Sequence, residues 1–108
     1  MDRERPTGKS GRDLNAYLQT LTEAVTALHG CDCSHSCTSH VIEFYEGQKV
    51  FEGDIETFTL SGHPKAREAF AWGYHNGTEP QYVAVLKIPP IVDPSDAVRA
   101  AIASGAFR

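Results

Sequence analysis

No run of apolar residues in this chain approaches the ~18 that a bilayer-spanning helix needs, so no membrane association is expected. A dense basic stripe is missing as well. The net charge is -4, and the positive residues are scattered apart from Arg3, Arg5, Lys9 and Arg12 near the start. A nucleic-acid surface has to displace counterions along a phosphate backbone, so no nucleic-acid partner is expected. The glycines form neither G-x-G-x-x-G nor G-x-x-x-x-G-K, and no G-x-S-x-G occurs. Dinucleotide, phosphate-loop and serine-nucleophile readings therefore lack their motifs. Met1-Asp2-Arg3-Glu4-Arg5-Pro6 carries charge with no apolar core after it, unlike a secretory signal. Three cysteines, an odd number, cannot all pair. Reduced thiols in a cytoplasmic protein are the expectation.

What is present fits one domain. A chain of 108 residues has no room for two independent cores. Residues 1–12 read as a disordered leader, and 13–108 as a single α+β domain. Leu14, Leu18, Leu21, Val25 and Leu28 recur at helical spacing, with Asp13 as a candidate N-cap and Gly30 as the stop. Val41 to Glu46 reads as a strand and Val50 to Leu60 as another, with a bulge or bend at Gly53 to bring Ile55 into phase. Pro64 to Glu68 reads as a short helical turn.

The stretch Phe70 to Ile88 is the organising hairpin, two aromatic or β-branched runs joined through Asn76 to Pro80. Phe70, Trp72 and Tyr74 share one face of the first run, and Ala71, Gly73 and His75 the other. Asp93-Pro94-Ser95-Asp96 starts a last helix whose apolar face is small: Ala97, Val98, Ala101 and Ile102. The simplest architecture is a two-layer sandwich, a mainly antiparallel four-stranded sheet with the N-terminal and C-terminal helices on one face. The Phe-Trp-Tyr face should meet the helices. The Ala71, Gly73 and His75 face would then be outermost, meeting a second protomer together with Val83 and Val85.

Three groups of residues could carry chemistry. Cys31, Cys33, His35, Cys37 and His40, with His29 just before, offer the thiolates and imidazoles that zinc favours. Their C-x-C-x-H-x-C-x-x-H order matches no zinc motif, and all the ligands would come from one loop between helix and strand. His63, at a corner before Pro64, could aim an imidazole and backbone amides at an anion, with Trp72, Tyr74 and His75 lining a pocket. Glu43, Glu46, Glu52, Asp54 and Glu56 alternate along one hairpin; binding a divalent cation or acid–base work is open to them, but the plain reading is a solvated outer sheet face.

The expectation that follows is a small binding or interaction protein with an unspecified ligand, a small molecule among the candidates, acting as a homo-oligomer. The alternative is a small enzyme with a His- or Cys-containing cleft, or a protein that holds zinc in the Cys31–His40 loop.

Overall fold

The computed structural model describes residues 11–105. Helix α1 spans Gly11–His29, then β1 Asp32–Tyr45, β2 Gln48–Ser61, β3 Glu68–Asn76, β4 Glu79–Leu86 and helix α2 Pro94–Ala103. The four strands form one antiparallel sheet in the order β1-β2-β3-β4. The α+β class, the antiparallel sheet and the two terminal helices are as expected. The first ten residues of the expected leader lie outside the described residues, and Gly11 and Arg12 already belong to α1.

Local chemistry sets the joints. Gly30 follows α1 with a φ of 70°, and its N–H returns to the Thr26 carbonyl at 2.8 Å. Glu46 and Gly47, both left-handed, turn β1 into β2. Only Gly77 and Thr78 separate β3 from β4, because Asn76 and Glu79 already pair; the connection is tighter than the expected loop. Asp93 caps α2 by accepting from the Asp96 N–H at 2.8 Å, with Pro94 in the first turn.

The helices lie on opposite faces of the sheet, so the fold has three layers where two were expected. Leu21 and Val25 of α1 pack with Phe58, Leu60, Ala69 and Ala71, joined by Tyr17, Tyr82 and Ala84. Ala97, Val98 and Ala101 of α2 pack with Val41, Ile55, Phe70 and Trp72, joined by Val83 and Val85. Trp72 is core, as expected, at 1% exposure. The Ala71 and Gly73 face is not outermost, because α1 covers it, and Val83 and Val85 meet α2 rather than a second protomer. The physical reason is complementary size. On β3 the small residues face the larger side chains of α1, and the large ones face the small side chains of α2. At Gly73 an added Cβ would sit 3.0 Å from the Tyr82 ring and 3.3 Å from the Tyr17 ring.

The same two-sidedness accounts for Ile55. It points to the α2 core while Phe58 points to the α1 core, and no bulge at Gly53 is required. The register shifts fall elsewhere, between His35 and Cys37 and between Glu43 and Phe44. Residues 64–67 form no helical turn; they bend, and β3 begins at Glu68.

Two substitutions test the layering. Leu21→Ala should destabilise by about 2–5 kcal/mol through the cavity it leaves under α1. Gly73→Ala should cost about 1–3 kcal/mol by pushing two tyrosine rings off the sheet. Denaturant melts check both, and a Gly73→Ala protein as stable as wild type would contradict the close packing of α1.

Candidate functional site

The Cys/His segment is not a loop. From Asp32 it is the edge strand β1, and strand geometry distributes its side chains. Cys33 and His35 stand opposite Leu60 and Phe58, on the α1 face. The irregularity at Ser36 then shifts the phase, so that Cys37 stands opposite Thr57 while Thr38 and His40 rejoin the α1 face opposite Glu56 and Asp54. Among the described residues no group of three or more His, Cys, Asp or Glu side chains gathers closely enough to hold a metal ion. Cys31, Cys33 and Cys37 are all free thiols.

What the bulge does bring together is a row of imidazoles and carboxylates. Glu56 is 2% exposed. Its carboxylate accepts from the Thr38 hydroxyl and from Nε2 of His35, the latter at 2.8 Å. The His35 ring lies edge-on to Phe58, with centroids 5.5 Å apart. One step along, His40 directs Nδ1 at Asp54 (2.9 Å) and Nε2 at Glu52 (3.2 Å). An imidazole with both nitrogens on carboxylates is best satisfied as the doubly donating cation. The hydrogen bonds it donates, to Asp54 first and to Glu52 second, hold its pKa above the ordinary histidine value. Of the acidic group two depart from the solvated-face reading: Glu56 is buried on the α1 side, and Glu43, 13% exposed, is held by Arg99 of α2.

The remaining candidates are engaged within the fold. Nδ1 of His63 accepts from the N–H groups of Lys65 (3.0 Å) and Ala66 (3.1 Å). Those amides hold the corner together rather than facing an anion. Nε2 of His29 lies 3.1 Å from the Ala84 carbonyl, tying the end of α1 to β4. Cys33 donates to the Thr22 carbonyl at 3.6 Å, and burial pushes its thiol pKa up, away from thiolate character. Tyr17 accepts from the Gly73 N–H at 2.8 Å. Burial raises its pKa, with the nearby Glu56 charge adding to the rise, and its phenol stays protonated. Trp72 packs edge-on to Phe51 at 6.0 Å inside the α2 core, while Tyr74 is half-buried and His75 exposed.

Two concavities were not foreseen. A cleft of about 540 Å³ opens where the 62–67 corner meets the segment after β4, among Thr59, Lys65, Arg67, Lys87, Pro89 and Ile91. A smaller apolar groove of about 380 Å³ lies between the far end of the β1–β2 hairpin and α2, lined by Phe44, Tyr45, Val50 and Ile102. Arg99 braces that groove, donating to Glu43 of β1 at 3.0 Å and to Asp96 at 2.7 Å. Comparison of the chain with protein-family models, with curated proteins and with solved structures found no match.

His40 gives a direct test of the row. Its pKa is raised in the folded state, so its pairing stabilises the fold below the unfolded histidine value of about 6.5. That contribution is lost as pH rises through the folded pKa, and it is small because the group is exposed. An NMR titration should place His40 above ordinary histidine, and Asp54→Asn should bring it down. A His40 ring titrating at or below the ordinary value would contradict the geometry.

Proposed function

We propose that this chain is a small cytoplasmic binding module whose first partner is a second copy of itself, joined along β1. The observation that carries the reading is the character of that edge. From Cys33 to Ile42 the strand has no Lys, Arg, Asp, Glu or Pro, the residues with which sheet edges are ordinarily guarded. Its register runs without interruption from Cys37 to Glu43, and Ser34, Ser36, Cys37 and Thr38 are exposed. Among the described residues, no backbone hydrogen bond outside the sheet ladder reaches β1. An antiparallel copy of the same strand satisfies such an edge by two-fold symmetry, residue i meeting j and j meeting i.

Exposed aromatics extend the same surface. Phe44 is 63% and Tyr45 67% exposed at the hairpin end, beside the groove against α2. Contiguous apolar surface of this kind marks association sites. The covered sheet face on which the homodimer expectation first rested no longer supports it; the edge does. Binding is favoured over catalysis because His29, His35, His63 and Cys33 all have partners within the fold. The three free thiols fit a reducing compartment.

Sedimentation equilibrium should show a reversible dimer. Ser34→Lys combined with Cys37→Lys should give a folded monomer, since like charges would meet across the two-fold. A wild-type protein that stays monomeric at millimolar concentration, or a dimer indifferent to the two lysines, would overturn the reading.

A further inference from the structure

Separately from the β1 edge, we propose that the cleft between the 62–67 corner and the segment after β4 binds a small molecule with a doubly charged oxyanion, a phosphomonoester or a dicarboxylate, on a short apolar body. Three cations line the cleft, Lys65, Arg67 and Lys87, against one carboxylate, Glu68. Lys87 already holds that carboxylate at 3.0 Å. Lys65 and Arg67 enter no ion pair among the described residues. In a chain of net charge -4, an excess of positive charge confined to one concavity raises the local concentration of anions there.

The cleft is preformed. The Arg67 carbonyl accepts from the Leu60 N–H at 2.8 Å, and the Lys87 N–H reaches the Glu68 carbonyl at 2.9 Å. His63 fixes the amides of Lys65 and Ala66, and the Ile91 N–H closes a turn onto the Ile88 carbonyl at 2.9 Å. Every segment bearing a cation is thus held by main-chain hydrogen bonds, which lowers the ordering cost of binding. A volume of about 540 Å³ falls in the range of small-molecule sites, and Ala66, Pro89, Ile91 and Val92 give it an apolar wall. Arg67 can take two oxyanion oxygens at once, while the lysines act as point charges. A metal ion would meet the wrong charge. A nucleic acid would need a longer basic track than three residues.

The test follows the backbone amides of Ala66, Ile91 and Val92 by NMR as phenyl phosphate, phthalate, benzoate or benzyl alcohol is added. Saturable shifts with phenyl phosphate or phthalate are expected, and which of the two binds more tightly identifies the head group. Salt should weaken the binding, and Lys65→Ala with Arg67→Ala should lower affinity by about tenfold or more. Both side chains are exposed, so the double variant should melt with wild type. Three results would overturn the proposal: no saturable shift, benzyl alcohol or benzoate binding as tightly as the dianions, or dianion binding unchanged in the double variant.

Discussion

The alternation of large and small side chains along β3 is the constraint from which the rest of the structure follows. Phe70 and Trp72 project to one side, and Ala69, Ala71 and Gly73 to the other. A helix can approach the small side only if it brings bulk, and α1 brings Tyr17, Leu21 and Val25. The large side needs a helix with little of its own, and α2 offers Ala97, Val98 and Ala101. Exchanging the helices would overpack one layer and leave voids in the other, each costing kilocalories in a close-packed interior. Gly73 marks the tightest point, where the Tyr17 hydroxyl accepts from its N–H and two rings cover its Cα.

Covering the centre of both faces decides where polarity can go. Glu56 is buried on the α1 side, where an unpaired carboxylate would be costly, and Thr38 and His35 reach across from β1 to satisfy it. The bulge at Ser36 matters for this reason: without it Thr38 and His40 would point to the α2 side, and Glu56 and Asp54 would lose those partners. The helices cover the central part of each face, and Phe44 and Tyr45 at the end of the β1–β2 hairpin stay exposed. The basic cleft lies on a different set of residues, so a ligand there need not compete with a partner at the edge.

Much of the fold was legible from local pattern. The Leu14–Leu28 stripe, the Asp93-Pro94 start and the Phe70–Ile88 hairpin each carry periodicity or turn chemistry strong enough to read directly. The first half of β1 was not legible, because Cys, Ser and His lack the β-branched and aromatic signature of strands and take the strand conformation through pairing with β2. The side on which α1 lies was misjudged because the Ala71 and Gly73 face offers little apolar area by itself. Its packing value appears only when the bulk of Tyr17, Leu21 and Val25 is set against it. The cleft was invisible for a simpler reason: Lys65, Arg67, Lys87 and Ile91 come from two connections, and only the fold brings them together.

The account rests on α1 and α2 covering opposite faces of β3 within one chain, and on the proposed pairing of the β1 edge with a second copy. Hydrogen exchange of the β1 amides at several protein concentrations tests it most directly. If the account holds, alternate amides between Cys37 and Glu43 exchange quickly in dilute protein and slow as concentration rises, while the amides of β3 stay protected throughout. Concentration-independent exchange along β1 would contradict the proposed pairing of that edge, and β3 amides whose protection depends on concentration would contradict the covering of β3 within one chain.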